Sequence, residues 1–418
     1  MNSSCDRRDF LKSAGATLAL LVSRQGLGAA QAPAAVTAAG PPVRFGIVGL
    51  GPWGREIVDA LGRTDGAQVA ALCDIYEPFL KRAAASAPKA EAIADWRRMI
   101  DSPLVDAVII ATPTPLHREI ATGALQARKH VYCEAPIASS IDDVRAIGAA
   151  ATAASGVVFQ GGLQGRSNPL YRHVLQFVKS GVLGDVALVN AQWSRKDSWR
   201  RSAPNQERER AVNWRLEKSS PGLMGEIAIH QLDLVAQYLG ARPVSLVGSG
   251  AVTAWRDGRE TPDTASCLVD FGKVRADVRA TLASSFGGAY TIFQGSNSSL
   301  LLKENRGWLI KEADSALLGW EVYARKESVH DETGIAMVAD ATKLLQAGKE
   351  PGKDAPVEPA KPPLVVALES FITSIRSGAA PSCSAADACA ATIAALKAHE
   401  AVIGNTRVTV AATDYAIG

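Results

Sequence analysis

The protein has 418 residues, enough for two domains of ordinary size and for more than one hydrophobic core. Hydrophobic residues make up 47% of the chain and charged residues 21%, a composition typical of folded globular proteins. The 45 basic and 42 acidic side chains nearly balance, which argues against nucleic acid as the main partner, because such binding needs a strong basic excess.

Residues 1–30 have the pattern of an export signal. The stretch "DRRDFLK" contains the paired Arg7 and Arg8, and a short apolar run, 14–22, follows it. A span across a bilayer needs about 20 apolar residues, so this run is interpreted as the hydrophobic region of a signal peptide rather than as a membrane anchor. The arginines resemble the twin-arginine motif. We expect cleavage after Ala30 and a periplasmic protein without membrane contact after export.

Between residues 43 and 162, short β-rich runs alternate with helical runs. The β-rich runs are continuously apolar, as strands buried on both faces are, and they read "VRFGIVGL", "QVAALCD", "VDAVIIAT", "HVYCE" and "VVFQGG". Helical stretches such as "REIVDALGR" lie between them. This alternation predicts an α/β Rossmann domain, a doubly wound parallel sheet with right-handed crossovers.

A glycine motif follows the first of these strands and opens a helix. Gly49, Gly51 and Gly54 have the Gly-x-Gly-x-x-Gly spacing, which permits a tight turn and lets a pyrophosphate reach the helix N-terminus. Pro52 is tolerated because the first helical turn can lack an amide hydrogen. Asp74 ends the second strand, where a carboxylate binds the ribose hydroxyls. No arginine is adjacent to Asp74, so NAD is favoured and NADP is not excluded.

The pattern changes at residue 163. Runs such as "VALVNAQWS", "TASCLVDF" and "AYTIFQGS" alternate apolar and polar residues with few helices between them. They predict an α+β domain over 163–418 with a large, mostly antiparallel open sheet. A Pro- and Lys-rich linker, "GKEPGKDAPVEPAKPP", precedes two alanine-rich helices within 363–404, which we expect to pack back on the first domain.

Five motifs, in this order, resemble the Gfo/Idh/MocA oxidoreductases: "GLGPWG", "CDIYE", "ATPTPLH", "ALQARKHVYCEAP" and "GEIAIHQLDLVAQYLG". The resemblance covers nearly the whole chain from Val43 to about Val410. It implies nicotinamide chemistry on sugars, polyols or related compounds, and a homo-oligomer formed through the open sheet. Some exported relatives hold their nucleotide tightly, so we expect tightly bound NAD here. No metal is expected.

The resemblance extends the cofactor site beyond the glycines. Trp53 lies within the glycine motif, and Thr112, Pro113 and Thr114 form the loop after a strand end, where the dinucleotide would pass. His117 matches a recurrent family residue. It is expected either to line the nicotinamide side or to be purely structural.

Family members usually have Glu-Lys-Pro where this chain has Glu134-Ala135-Pro136. In the family, the lysine reaches toward the substrate hydroxyl and helps to move its proton. Ala135 can neither donate nor accept a proton. Glu134 and Pro136 are still expected to shape the nicotinamide pocket, and Glu134 and Ala135 are expected to contact the cofactor. Loss of catalytic activity is the alternative interpretation.

The motif "GEIAIHQLDLVAQYLG" predicts a helix with one polar stripe. Glu226, His230, Asp233 and Gln237 recur at i, i+4, i+7 and i+11 on an otherwise apolar helix. Such a helix is largely buried, so its stripe is expected to line a cleft. His230 matches the family's catalytic histidine and is the predicted base, with Glu226 fixing its tautomer. Asp233 is predicted to be structural or substrate-binding.

Further candidate substrate residues follow the last Rossmann strand or lie in an aromatic and basic stretch. They are Gln164, Arg166, Asn168, Lys196 and Trp199, with Trp193 and Trp214 in the same group. Aromatic platforms beside hydrogen-bond donors suit a carbohydrate, although a large sheet also buries tryptophans routinely. Lys196 is the candidate replacement for the absent lysine.

Three functions are consistent with these features. The first is an NAD(P)-dependent oxidoreductase acting on a hydroxyl of a sugar, glycoside or cyclitol. The second is a glycoside hydrolase that oxidises C3 transiently, eliminates the aglycone and regenerates its NAD. The third is a non-catalytic sugar sensor that keeps the nucleotide as a structural element. Fold analogy does not separate them.

Overall fold

Two β-sheets dominate the structure, a computed structural model that describes residues 40–317, 321, 324–338 and 361–417. The predicted signal peptide and most of the predicted Pro- and Lys-rich linker lie outside the described residues. From Pro42 on, the chain forms one compact unit.

The first sheet is parallel and has six strands in the order β3-β2-β1-β4-β5-β6. The strands are β1 (Val43–Val48), β2 (Ala67–Cys73), β3 (Glu91–Ile93), β4 (Ala107–Ile110), β5 (His130–Cys133) and β6 (Phe159–Gly161). Strand order reverses between β1 and β4. Ligands of open α/β sheets bind outside the carboxyl ends of the strands at such a switch point.

Helices cover both faces of this sheet, and its strands β1, β4, β5 and β6 are almost fully buried. The helices are α1 (Pro52–Leu61), α2 (Glu77–Ser86), α3 (Trp96–Ile100), α4 (His117–Gln126) and α5 (Ile141–Ala153). Pro52 occupies the first turn of α1, as predicted. The predicted doubly wound domain is therefore confirmed.

The second sheet has ten strands in the order β14-β15-β13-β12-β11-β7-β10-β9-β8-β16, and only the β7–β10 pair is parallel. They are β7 (Val186–Ser194), β8 (Ser245–Ala251), β9 (Thr264–Asp270), β10 (Arg275–Thr281), β11 (Ala289–Gly295), β12 (Ser298–Lys303), β13 (Arg306–Lys311), β14 (Lys326–Val329), β15 (Glu332–Met337) and β16 (Arg407–Thr409). Buried and exposed residues alternate along β9 and β10, so one face of the sheet is open, as the sequence predicted.

The helices of the second half are α6 (Pro169–Lys179), α7 (Gln206–Val212), α8 (Ile229–Leu239), α9 (Pro363–Ser377) and α10 (Ala385–Gly404). Helix α9 packs on the first domain, where the Phe371 ring lies 6.2 Å from Phe45 and 5.7 Å from Tyr132. On α10, the Thr392 hydroxyl accepts a hydrogen bond from Ile137 N–H. The same helix lies against β8, so it contacts both halves of the molecule.

The cysteines are buried and form no disulfides within the part of the chain that the structure describes: Cys73, Cys133, Cys267, Cys383 and Cys389. Within the same described residues, no helix has both the length and the apolar character needed to cross a membrane.

Candidate active site

The glycine motif leaves open space beside the first turn of α1. Gly49 has φ +91°, and a Cβ on it would lie 2.7 Å from the Ala111 backbone. A Cβ on Gly54 would lie 1.9 Å from the Gly49 carbonyl oxygen. A Cβ on Gly51 would meet nothing within 4 Å. Gly49 and Gly54 thus keep the turn compact, and Gly51 faces the space where a pyrophosphate would be bound.

Asp74 holds the glycine motif against the end of β2. Its Oδ2 accepts a 2.7 Å hydrogen bond from Leu50 N–H, and its Oδ1 accepts one of 2.8 Å from Tyr76 N–H. Each carboxylate oxygen keeps a further lone pair that can accept from a ribose hydroxyl. The residue is therefore at the predicted ribose corner and fits a dinucleotide.

Two buried polar atoms without partners lie at the carboxyl ends of β4 and β5. Thr112 Oγ1 and Glu134 Oε1 have no hydrogen-bond partner among the described residues. Burial raises the pKa of Glu134 to about 7, although Trp53 donates a hydrogen bond to its carboxyl group. Buried polar groups are normally satisfied, so these atoms fit the polar groups of a bound nicotinamide.

His117 joins the same two strand ends. Its ring is buried, with Nδ1 3.0 Å from the Pro136 carbonyl oxygen and Nε2 2.9 Å from that of Thr112. Burial lowers the pKa of His117 to about 4, so the ring is neutral and donates to one carbonyl at a time. These two contacts fit the structural alternative of its two predicted roles.

Glu226 differs from its predicted role. Its Oε1 accepts a 2.8 Å hydrogen bond from Thr114 Oγ1, and its Oε2 accepts one of 2.9 Å from Arg215 Nε. No described contact joins it to His230. The predicted helix begins with a π-helical turn, Met224–Ala228, so the 3.6-residue stripe does not continue through it. The buried Glu226 carboxylate connects Thr114 of the first domain with Arg215 of the second, and it is not the group that orients His230.

His230 lies at the start of α8 and its side chain is accessible to solvent. Desolvation by the surrounding protein lowers the pKa of His230 to about 4. The Thr114–Glu226 contact holds the π-helical turn Met224–Ala228, which precedes α8, against the carboxyl ends of the strands of the parallel sheet. His230 is therefore a neutral imidazole near this edge at physiological pH, able to accept a proton.

Arg166 and Asp233, predicted to bind substrate, bind each other instead. Arg166 Nε and Nη2 donate to both Asp233 oxygens at 2.8 to 3.1 Å, and Nη1 lies 2.9 Å from Asp387 Oδ1. With Gln237 they line a separate cavity of about 260 Å³ between α8 and α10, which His230 does not line. The residues of the predicted polar stripe therefore do not line one cleft. Asp233 and Gln237 line this cavity, whereas Glu226 contacts Thr114 and Arg215. The opposite charges of the buried pair compensate each other.

Asn168 is also engaged structurally. Its Oδ1 caps α6 by accepting from Leu170 and Tyr171 N–H, and its Nδ2 donates to Asn305. The cap accounts for its position before Pro169, and no polar atom of the side chain lacks a partner. Gln164 lies in the short helical turn Gln164–Arg166, directly after β6, and is half-buried.

The sequence did not single out Arg215, which joins three site residues. Its guanidinium lies 5.8 Å from the Trp199 ring centroid and 4.5 Å from that of Trp214, and it reaches Glu226. Its only sequence signal is that it follows Trp214. Lys196 is exposed, and its backbone N–H donates to Ser285 Oγ. Trp199 and Trp214 therefore meet at Arg215, whereas no described contact joins Lys196 to it.

Two family models match the chain, "Oxidoreductase family, NAD-binding Rossmann fold" over residues 43–161 and "GFO/IDH/MocA C-terminal domain" over residues 171–301. An uncharacterised oxidoreductase of Streptococcus pneumoniae is 27% identical over 75% of this chain and 83% of its own length. The 2,7-anhydro-N-acetylneuraminate hydratase of Escherichia coli is 24% identical over 81% of this chain and 88% of its own. The structure of levoglucosan dehydrogenase with NADH shares the fold, with a TM-score of 0.70 at 20% identity, covering 88% of this chain and 99% of that chain.

Replacing Glu134 by Gln should change how stability depends on pH. The pKa of the carboxyl group is 4.5 ordinarily and about 7 in the folded protein. Its contribution to stability is complete below the lower value and is lost as pH rises through the higher one. Because Gln does not titrate, the free energy of unfolding of Glu134→Gln should gain on that of wild type between about pH 5 and pH 8.

Urea denaturation across this pH range measures the effect. Glu56→Gln, at an exposed position on α1, is the matched control. Equal pH dependence of Glu134→Gln, Glu56→Gln and wild type would show that Glu134 ionises normally.

Proposed function

Because the chain belongs to the Gfo/Idh/MocA oxidoreductase family, we propose that it is an NAD-dependent dehydrogenase that oxidises a hydroxyl group of a sugar, glycoside or cyclitol. The observation that carries the proposal is the pairing of an open glycine motif with an accessible, neutral His230 near the same sheet edge. The first fits the cofactor, and the second supplies the proton acceptor that alcohol oxidation requires.

Each site residue has a task in this reaction. Bound NAD supplies the hydride acceptor. Gly51 leaves room for its pyrophosphate, and Asp74 accepts hydrogen bonds from its ribose. His230 accepts the proton of the substrate hydroxyl, which Ala135 cannot do. His117 keeps the loops after β4 and β5 in one arrangement, so that the reacting groups stay in place.

The substrate class is supported by the surroundings of Arg215. Two indole rings, Trp199 and Trp214, flank a guanidinium that remains 43% exposed. Aromatic faces pack on the apolar faces of sugar rings, and guanidinium donors bind their hydroxyls. Relatives named for levoglucosan and for an anhydro-sugar derivative agree with a carbohydrate. The relatives with named activities are enzymes, so the non-catalytic sensor is not proposed.

One observation favours a second candidate, the glycoside hydrolase with transient oxidation. Ala135 replaces the proton-transfer lysine, and one relative is named a hydratase, an enzyme of net water addition rather than net oxidation. In such a cycle, oxidation of one hydroxyl acidifies the neighbouring C–H bond and the aglycone is eliminated. Water then adds and the hydride returns, so no NADH accumulates.

The cell compartment and the assembly are part of the proposal. The twin-arginine pattern supports export to the periplasm, tested by whether mature protein in that fraction depends on Arg7 and Arg8. The open face of the second sheet supports a homo-oligomer, because Leu188, Val247 and Leu268 are 37% to 48% exposed there. A monomer mass by light scattering would contradict it.

His230→Ala should leave the fold and NAD affinity intact and lower turnover by roughly 10²- to 10⁴-fold, the usual contribution of a positioned acid or base. Because the pKa of His230 is about 4, the wild-type rate should fall as pH drops through that value, and the variant should lack this limb. Steady-state kinetics on the best substrate of a glycoside and cyclitol panel measure both. His330→Ala, exposed in the β14–β15 turn, is the control. Unchanged turnover in His230→Ala would move the search for the base to Lys196.

Ala135→Lys separates the two candidate reactions. In a dehydrogenase pocket that has lost its lysine, the restored side chain should be tolerated and raise net NADH formation. Where substrate occupies that space, the side chain should block it and abolish activity. Absorbance of NADH and mass spectrometry of released sugar are recorded on the same samples. Net NADH supports the dehydrogenase, and released sugar without NADH supports the hydrolase. A chain that gives neither product on any glycoside or polyol tested contradicts both.

A further inference from the structure

A helix of the second half of the chain lies on the first domain beside the ribose corner. Helix α7 belongs to the cover segment, which we define as residues 195–218. Its Arg208 guanidinium lies 4.0 Å from the ring centroid of Tyr76 and 5.0 Å from that of Phe79. Tyr76 is the residue whose N–H binds Asp74. The cover segment therefore reaches the place where the adenosine end of a dinucleotide is expected.

A second guanidinium lies on the same ring. Arg55 of α1 is 5.3 Å from the Phe79 centroid, and its Nη1 donates a 3.0 Å hydrogen bond to the Leu50 carbonyl oxygen. That bond fixes Arg55 to the glycine motif. Two positive charges from distant parts of the sequence are thus held around Phe79.

One of the two guanidinium groups has an unused hydrogen-bond donor. Arg208 Nε is buried and has no partner among the described residues. The nearby carboxylate of Asp74 already accepts from Leu50 and Tyr76 on its two oxygens. Two like charges without a shared counter-ion repel each other. An anion within reach of both guanidinium groups would relieve the repulsion and accept a hydrogen bond from Arg208 Nε.

A phosphate group matches this chemistry. Guanidinium presents planar, paired donors to phosphate oxygens, and it can do so while stacked on an aromatic face. We propose that Arg208 and Arg55 bind a phosphate of the dinucleotide at its adenosine end, so that the second domain completes the cofactor site. The phosphate is either the bridging diphosphate or the 2′-phosphate of NADP. The cover segment then has to release Arg208 before the cofactor leaves.

An arginine distant in the sequence lies at the ribose corner. NAD is favoured over NADP when no arginine adjoins Asp74 in the sequence. Arg208 reaches this corner from another domain, where spacing does not reveal it. The inference rests on the cofactor assignment and not on the identity of the substrate.

Calorimetric titration with NAD and with NADP tests it, after co-purified nucleotide is removed on charcoal. Arg208→Ala should weaken binding by about 10- to 100-fold, the effect of a lost charged hydrogen bond. Arg210→Ala is the matched control, an exposed arginine on the same helix, and should stay within about twofold of wild type. NADH dissociation, followed by fluorescence, should be faster in Arg208→Ala alone.

The two dinucleotides distinguish the source of the phosphate. Equal losses for NAD and NADP identify the diphosphate, and a loss for NADP alone identifies the 2′-phosphate. Affinities of Arg208→Ala equal to those of Arg210→Ala for both ligands overturn the inference. If Arg208→Ala does not fold, two other variants are judged by the same affinities. They are Arg208→Gln, which keeps the aliphatic stem on Tyr76, and Arg55→Gln. Wild type that binds neither dinucleotide overturns the cofactor assignment, and this inference with it.

Discussion

The buried ring of His117 holds together the loops that leave β4 and β5, and the site depends on that connection. The loops follow two adjacent parallel strands, and the ring lies 3.0 Å from the Pro136 carbonyl oxygen on one loop and 2.9 Å from the Thr112 carbonyl oxygen on the other. Thr112 and Thr114 are on one loop, and Glu134 and Ala135 are on the other. Because the imidazole is neutral, its donated hydrogen bond carries no buried charge. The arrangement of four candidate site residues thus follows from one uncharged side chain.

The same edge also joins the two domains through Glu226. Burial raises the pKa of this carboxyl group, and Arg215 and Thr114 act in the opposite direction. Removing one partner of a buried ion pair typically costs about 3 to 5 kcal/mol, although the 43% exposure of Arg215 places this pair toward the lower end. Arg215 belongs to the cover segment and lies against its Trp199 and Trp214, so the ion pair with Glu226 connects that segment to the site. The candidate substrate residues and the cofactor loops are therefore connected through Glu226. A substitution in one of them is expected to alter the position of the other.

Local features were predictable from the sequence, and features set by distant partners were not. Continuous apolar runs, the Gly49 to Gly54 spacing and Asp74 are local, and the structure places them as expected. The pairing of Arg166 with Asp233 depends on two elements meeting in space. The role of Asn168 is an exception, because its cap before Pro169 is a local feature that was not recognised in the sequence. The π-helical turn at Met224 has no sequence signature, so a stripe predicted from a continuous period of 3.6 residues is wrong across this turn.

The substitution at Ala135 leaves two titratable groups whose environments shift their pKa values in opposite directions. The pKa of Glu134 rises to about 7 and that of His230 falls to about 4. Between these values, His230 is a neutral proton acceptor and Glu134 is mainly protonated, as a base and an acid would be. Simple oxidation of a hydroxyl needs only the acceptor. Elimination of an aglycone also needs a proton for the leaving oxygen, so a retained donor has a use in the redox-neutral reaction that it lacks in the net oxidation. The absence of a lysine at position 135 is therefore compatible with catalysis, because Glu134 can donate a proton and His230 can accept one.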